Sequence, residues 1–302
     1  MTLTTTTRLA ALVLSLSALA GCPAESGLFD FQDSWRGALT DQTYAVGASM
    51  DIVVYGPAGF DMNNTIARTL SDDGEPPVRL DHTERYPEFG CIITTGEAEV
   101  PGDGQIAVAD LLTRRPLDQV AITTDTVDGV GLGRGINLWN GTLGDAVGGD
   151  INVLAGGNLS LGVAPTNLDG EILSGNLPIA ASFSGGEVQS WDGVVELWSP
   201  GAGRLDVTLG DFERSVDIVT VAAAQIVQIE VEALDVGVRG GMNELGGETL
   251  LVLNGLTEDG SKVLGLDGAW TVDGWDYGTG DQMWSYGADS GRVCWNGLCA
   301  TF

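Results

Sequence analysis

The chain has 302 residues and carries 42 acidic against 13 basic side chains, a formal net charge of −29. A surface this acidic repels phosphate backbones, which excludes nucleic acid as a partner, and it disfavours direct docking on anionic lipid. The hydrophobic fraction of 43% is enough for packed cores, and 45 glycines suit strands and turns rather than long helices.

The N-terminal segment predicts export and lipidation. One basic residue, Arg8, precedes an apolar run from Leu9 to Ala20, which is too short to cross a bilayer. The ending Leu19-Ala20-Gly21-Cys22 resembles the lipobox of bacterial lipoproteins. The resemblance implies cleavage before Cys22, acylation of its thiol and anchoring in the lipid bilayer. An ordinary signal peptide with an incidental cysteine is the alternative.

The residue after the anchor bears on location. Pro23 stands where, in enteric lipoproteins, an aspartate retains the protein at the inner membrane. The resemblance therefore implies the bacterial outer membrane, on its periplasmic or cell-surface face.

Two sequence blocks recur and predict three copies of one structural unit, because each repeat is a unit of structure. Residues 101–122 align without gaps on 200–221, and WSPGAGRL (198–205) returns as WSYGADSGRV (284–293). The second block aligns 47–54 with 156–163 and 246–253. Asp-Gly turns follow this block, at Asp169-Gly170, at Asp259-Gly260 and, more loosely spaced, at Asp73-Gly74.

Apolar residues alternate with a period of two in both blocks, the pattern of strands with one buried face. In the second block the predicted core residues are Met50, Ile52, Val54, Leu159, Leu161, Val163, Leu251 and Leu253, with Thr249 in the same series. In the first block they are Ile106, Val108, Leu117, Val120, Ile122, Leu205, Val207, Val216, Val219, Val221, Val293 and Trp295. Trp198 and Trp284 share one repeat position and are expected in the core as well. Several short strands with turns between them indicate a sandwich.

Residues 153–184, VLAGGNLSLGVAPTNLDGEILSGNLPIAASFS, resemble the first half of a bacterial Ig-like (Big) domain, with its glycine turn, alternating strand and Asp-Gly turn. The resemblance implies an all-β tandem array of three Ig-like antiparallel β-sandwiches, used in bacteria as stalks or adhesive modules of surface proteins. We predict a signal peptide at 1–21, a tether at 22–27, and domains at 28–124, 125–222 and 223–302. Because no Pro/Ser-rich linker separates the domains, we expect a semi-rigid rod.

The C-terminal cysteines predict a disulfide-closed hairpin. Asn296-Gly297 favours a two-residue type I′ turn, which places Cys294 opposite Cys299 at a non-hydrogen-bonded pair. The Cα atoms of such a pair are about 4.5 Å apart, within disulfide range. The face that packs on the core would carry Val293, Trp295, Leu298 and Ala300. Cys91 is expected to be a buried core thiol, with a reactive or intermolecular cysteine as the alternative.

Residues for catalysis are sparse. His82 is the single histidine, and no GxSxG, HExxH, P-loop or CxxC motif is present. We therefore do not expect an enzyme, and we expect no cofactor other than calcium. Calcium candidates are Asp273, Asp276 and Asp281 in one glycine-rich loop, and the acidic segment 125–129, although solvated acidic loops are the default interpretation.

Trp270 and Trp275 flank a Val-Asp-Gly segment and are candidates for stacking on a sugar ring, with core or edge packing as the alternative. The leading hypothesis is a non-enzymatic, membrane-anchored lipoprotein that acts as a surface or periplasmic spacer or protein-interaction module. The alternative is a glycan-binding or adhesive lipoprotein that uses loops of the C-terminal domain. The protein or glycan partner is not identified by the sequence.

Overall fold

The computed structural model describes residues 36–37, 43–56, 61–70, 75–88, 90–134, 136–137, 142–143, 147–191, 193–234, 248–272, 274–286 and 290–302. Cys22, Asp273 and the turn at Asp73-Gly74 lie outside the described residues. Within these ranges there are six four-stranded sheets and one two-stranded sheet. The four-stranded sheets group along the chain into three pairs, which we call sandwiches 1, 2 and 3.

Sandwich 1 consists of eight strands and one short 3-10 helix, Met62–Asn64. Its strands are β1 (Arg36–Gly37), β2 (Thr43–Ala45), β3 (Ser49–Tyr55), β4 (Thr65–Leu70), β5 (Val78–Tyr86), β6 (Cys91–Ala98), β7 (Gly102–Asp110) and β8 (Pro116–Asp125). The two sheets have the orders β1-β3-β6-β5 and β2-β8-β7-β4. All strand pairs in them are antiparallel except β2 with β8.

Sandwich 2 repeats this arrangement and adds a two-stranded ribbon. Its strands are β9 (Gly129–Gly133), β10 (Ile136–Asn137), β11 (Thr142–Leu143), β12 (Ile151–Leu154), β13 (Asn158–Thr166), β14 (Ile179–Phe183), β15 (Glu187–Trp191), β16 (Val194–Trp198), β17 (Gly203–Leu209) and β18 (Phe212–Val221). The sheets have the orders β15-β16-β13-β9 and β12-β18-β17-β14, with β12 parallel to β18. This strand order is that of an immunoglobulin-like sandwich.

Sandwich 3 follows a 3-10 helix, Ala223–Gln225, and departs in one strand. Its strands are β19 (Ile226–Leu234), β20 (Glu248–Thr257), β21 (Lys262–Val263), β22 (Gly268–Val272), β23 (Trp275–Gly280), β24 (Gln282–Tyr286), β25 (Gly291–Trp295) and β26 (Leu298–Thr301). One sheet joins β19, β20, β21 and β24, and the other has the order β23-β22-β25-β26. Strand β23 thus pairs with β22. Its counterparts in the other sandwiches belong to the other sheet, where β5 pairs with β6 and β15 pairs with β16. The all-β prediction of three Ig-like sandwiches is confirmed.

A separate hydrophobic cluster fills the space between the sheets of each sandwich. The predicted core residues of the second block are confirmed, since the side chains of Met50, Ile52, Val54, Leu159, Leu161, Val163, Leu251 and Leu253 are all buried. In β20 the alternation is not, because Leu250 and Val252 are buried as well, in a cluster of their own. Fully burying one such side chain stabilises the fold by about 1.5–3 kcal/mol. None of the helices in the described residues is long and apolar enough to cross a bilayer.

The gapless alignment of residues 101–122 with 200–221 covers the hairpins β7–β8 and β17–β18, and it is wrong in the second strand of each hairpin. Gly104 of β7 pairs with Ile122, but its sequence match, Gly203 of β17, pairs with Ile218 and not with Val221. The turn in sandwich 2 has two residues, whereas residues 111–115 form a longer loop in sandwich 1. The carboxylate of Asp110 caps that loop by accepting hydrogen bonds from the backbone at 112 and 113. The three extra residues shift every later position.

This shift explains two wrong core assignments. Leu117 and Val219 are exposed to 38% and 42%, and Ile218 is the core residue instead. Trp198 is also not a core residue: its side chain is 40% exposed because the neighbouring Leu197 takes the inward position at the end of β16. The side chains of Val120, Thr249 and Trp284 are not described.

Candidate functional site

Sandwiches 1 and 2 are joined by backbone hydrogen bonds. In the segment between β13 and β14, Ser174 forms a parallel bridge with Tyr44 of β2. The Ala45 nitrogen donates to the Ser174 oxygen at 2.9 Å, and the Ser174 nitrogen donates to the Thr43 oxygen at 2.8 Å. Two further bonds of 3.1 and 2.8 Å link Ser49 and Asn176 in both directions. The connection is therefore a short extension of one sheet into the next sandwich.

The same bridge recurs between sandwiches 2 and 3. Leu264 forms a parallel bridge with Val153 of β12. The Leu154 nitrogen donates to the Leu264 oxygen, and the Leu264 nitrogen donates to the Asn152 oxygen, both at 2.9 Å. Ser174 and Leu264 occupy the same position in the repeated segments DGEILSG (169–175) and DGSKVLG (259–265). The segment after each Asp-Gly turn is thus the part that docks on the preceding sandwich, and we call it the docking segment.

Apolar side chains close both junctions. At the first junction, Ala45, Ala48, Val127 and Leu173 form a buried cluster of their own. At the second, Leu264 belongs to the core cluster of sandwich 2, while Leu154 packs against that of sandwich 3. Each sandwich therefore contributes side chains to its neighbour's packing.

A glycine ends each docking segment for a steric reason. Gly175 and Gly265 have φ angles of +107° and +77°, which side chains rarely adopt. A Cβ at Gly175 would lie 2.7 Å from the Cβ of Ala48, and one at Gly265 would lie 2.6 Å from the oxygen of Asn158. The sequence analysis gave neither glycine a role. Their recurrence five residues after each Asp-Gly turn was the signal for close contact with the preceding sandwich.

Carboxylates at the first junction are bridged by an amide. The side-chain nitrogen of Asn167 donates to Asp125 at 3.0 Å and to Glu171 at 3.2 Å. The Asn167 backbone nitrogen donates to the backbone oxygen of Glu171, and the Glu171 backbone nitrogen donates to Oδ1 of Asn167. The amide thus links the acidic segment 125–129 to the start of the docking segment.

A buried polar network crosses the second junction. Arg134 at the end of β9 is only 4% exposed, and its Nη1 donates to the Oδ1 of Asn254, which lies fully buried in β20. The Asn254 amide donates to Glu232 at 3.0 Å, and Lys262 pairs with the same carboxylate at 2.7 Å. A buried charge that loses its partners is costly, so this network opposes separation of the two sandwiches.

The two described aspartates of the acidic loop in sandwich 3, Asp276 and Asp281, lie in different environments. Asp276 is exposed and accepts a hydrogen bond from the Gly278 nitrogen, whereas Asp281 is partly buried next to Arg134. Burial raises the pKa of Asp281 to about 6, and Arg134 opposes that rise. No group of three His, Cys, Asp or Glu side chains suited to a metal ion occurs among the described residues, which exclude Asp273. Calcium binding stays a prediction.

The two tryptophans proposed for sugar stacking differ in solvent exposure. Trp270 is 2% exposed, donates from Nε1 to the Gly280 oxygen at 2.8 Å and packs against Phe302. Trp275 is 76% exposed. Core packing is thus the correct interpretation of Trp270, and the two rings form no common surface.

The predicted C-terminal hairpin is confirmed. Asn296 and Gly297 both have positive φ angles, +46° and +83°, and Cys294 pairs with Cys299 in a disulfide with Cα atoms 4.1 Å apart. The residues predicted to face the core do so, namely Val293, Trp295, Leu298 and Ala300. Cys91 is buried as expected, but it is disulfide-bonded, so the expectation of a thiol is wrong.

The single histidine is not enclosed in a cleft. The side chain of His82 is 66% exposed, and its Nε2 lies 3.6 Å from a carboxylate oxygen of Glu84.

No known protein family and no curated protein matches the chain. Among solved structures, domains 4–9 of the surface-layer protein SbsC are 12% identical with a TM-score of 0.39, and the match covers 82% of this chain but only 39% of that fragment. The Escherichia coli adhesin FdeC is 14% identical with a TM-score of 0.26, over 91% of this chain and 98% of its own. The Yersinia pseudotuberculosis adhesin InvE is 14% identical with a TM-score of 0.24, over 62% and 58%. These are likenesses of fold alone.

Substituting Gly265→Ala is expected to weaken the second junction. Gly260, in the same segment, has a similar φ of +82° but has no atom within 4 Å of an added Cβ, so Gly260→Ala is the matched control. The control should cost about 1–2 kcal/mol of backbone strain. Gly265→Ala should cost a further 1–3 kcal/mol, roughly, from the contact with Asn158. Urea unfolding and limited proteolysis between β18 and β20 measure both effects, and equal behaviour of the two variants would contradict the docking role.

Substituting Asp281→Asn is expected to stabilise the protein at pH 7. The folded pKa of about 6 lies above the ordinary value of 3.8, so the carboxyl contributes stability below about pH 4 and loses that contribution as the pH rises through 6. The variant should gain up to about 3 kcal/mol at pH 7 and nothing near pH 4. Unfolding curves between pH 4 and 7.5 test this, with exposed Asp276→Asn as control. Parallel curves for wild type and Asp281→Asn would refute it.

Proposed function

We propose that the protein is a non-enzymatic, membrane-anchored lipoprotein of the bacterial outer membrane that acts as a surface or periplasmic spacer and protein-interaction module. The observation that carries the proposal is the recurrence of one junction geometry. Equivalent backbone atoms form the same parallel bridge at both junctions. A bridge that is repeated in this way fixes the relation of each sandwich to the next.

The stiffness of a spacer depends on these contacts. Domains in one chain move relative to each other by default unless their interface is large and hydrophobic. Here each junction combines backbone hydrogen bonds, buried apolar side chains and a glycine without room for a Cβ. The second junction adds the buried contact of Arg134 with Asn254. These features support a rod with restricted bending, as a spacer requires.

The anchor is the other requirement of this function. Acylation of Cys22 with two or more chains would hold the protein stably at a membrane, where one chain would not. It requires that the Cys22 thiol is not in a disulfide with Cys91, the other cysteine outside the C-terminal hairpin. The net charge of −29 would keep the body of the protein away from anionic headgroups, and so favours projection from the surface.

Small-angle X-ray scattering on a form that starts after Cys22 tests the spacer role. A compact body of about 280 residues has a radius of gyration near 19 Å, roughly. A stiff row of three sandwiches should exceed this clearly and give a scattering profile without signs of interdomain flexibility. Gly265→Ala should add such flexibility, and Gly260→Ala should not. A compact or freely jointed wild type would overturn the spacer role.

Metabolic labelling with radioactive palmitate tests the anchor in cells. Cys22→Ser should abolish the label and move the protein to the soluble fraction, because the thiol is the acylation site. Cys294→Ser serves as the control, since it also replaces one cysteine, but one that is held in the disulfide with Cys299, and it should keep the label. Incorporation of palmitate into Cys22→Ser would contradict anchoring through this residue.

A further inference from the structure

Two partly exposed tryptophans lie on one face of sandwich 2. In the β15–β16 pair, Trp191 lies opposite Val194 and Trp198 lies opposite Glu187. The alternate residues of β16, Val195 and Leu197, point into the core and are buried. Since side chains alternate along a strand, Trp191 and Trp198 both belong to the outer face of this sheet. Each indole is 40% exposed.

Polar side chains occupy the space between the two rings. The register places Gln189 opposite Glu196, and Glu196 opposite Ser160 on the neighbouring strand β13. Four residues of β16 separate the two ends of this strip, which is about 13–14 Å along the strand. The outer face thus presents an indole at each end, with an amide, a carboxylate and a hydroxyl side by side between them.

The chemistry of the strip favours an uncharged sugar chain. An indole face packs well on the C–H face of a pyranose ring, and side-chain amides and carboxylates suit sugar hydroxyls, which donate and accept. Burial raises the pKa of Glu196, which is consistent with a carboxylate set into this surface rather than free in solvent. Glu187 and Glu196, within a chain of net charge −29, would repel an acidic polysaccharide.

The other exposed aromatic pair lacks this arrangement. Trp275 and Tyr277 are 76% and 59% exposed on the edge strand β23. The pairing register between β22 and β23 shifts by one residue at Tyr277, because Trp270 pairs with Gly278 and Thr271 pairs with Asp276. Asp276, which lies between the two aromatic residues in the chain, accepts a hydrogen bond from the Gly278 nitrogen. This pair provides a control surface with rings that are more accessible than those of Trp191 and Trp198.

We propose that the outer face of β15 and β16 binds a neutral glycan chain that runs along the strands. Trp191 and Trp198 stack on two non-adjacent sugars, and Gln189, Glu196 and Ser160 hydrogen-bond the hydroxyls between them. This inference goes beyond the spacer role and does not depend on it: loss of glycan binding leaves the scattering result unchanged, and a flexible rod leaves the glycan site intact.

Calorimetry and tryptophan fluorescence on the full mature chain test the site. The probes are β-1,4-linked hexasaccharides of glucose and of N-acetylglucosamine, with an oligogalacturonate as the acidic comparison. At least one neutral hexasaccharide should bind and shift the fluorescence. Trp191→Ala and Trp198→Ala should each weaken binding about tenfold or more, whereas Trp275→Ala should leave it unchanged.

Several results would overturn the proposal. These are failure of both neutral hexasaccharides to bind at millimolar concentration, equal binding of the oligogalacturonate, unchanged affinity in both Trp191→Ala and Trp198→Ala, or loss of binding in Trp275→Ala alone. Glu196→Gln keeps the shape of the strip and guards against misfolded tryptophan variants. It should fold as the wild type does and alter affinity for the neutral probe, and unchanged affinity would remove Glu196 from the site.

Discussion

The structure depends on a pair of backbone hydrogen bonds that each docking segment makes with the preceding sandwich. Ser174 and Leu264 both donate from the nitrogen and accept at the oxygen, so each extends the edge of a neighbouring sheet by one residue. A buried backbone group that lacks such a partner is costly, so the docked position is favoured over a small displacement. The arrangement of the three sandwiches follows from this local pairing.

Side chains then make each junction specific. The first relies on a small apolar cluster and on Asn167, which links two carboxylates, while the second encloses Arg134 from sandwich 2 against Asn254 of sandwich 3. The backbone geometry is common to both, but the polar contacts differ. The two junctions are therefore expected to differ in strength and in response to pH, because only the second is next to Asp281, whose pKa is raised. The glycan chain proposed for β15 and β16 would use an outer face of sandwich 2, away from its core.

Features that depend on neighbouring residues could be predicted, and features that depend on distant ones could not. The Cys294–Cys299 pairing follows from a two-residue turn, and the buried faces of β3 and β13 follow from alternation. The core position of Ile218 could not be predicted, because the gapless alignment of the repeats does not show that the β7–β8 loop is three residues longer than the β17–β18 turn. Trp198, expected in the core, is on an outer face, whereas Trp270, a candidate for sugar stacking, is in the core.

The sequence by itself determined the all-β class, the threefold repetition, the C-terminal hairpin and the prediction of a lipid anchor at Cys22. These depend on periodicity, turn chemistry and a local motif, all of which act over a few residues. Only the tertiary structure decided how the sandwiches are joined, that β23 pairs with β22, and that Trp191 and Trp198 share an outer face. The reason is that strand pairing and docking join residues far apart in the chain, and their register is set by packing that no single segment contains.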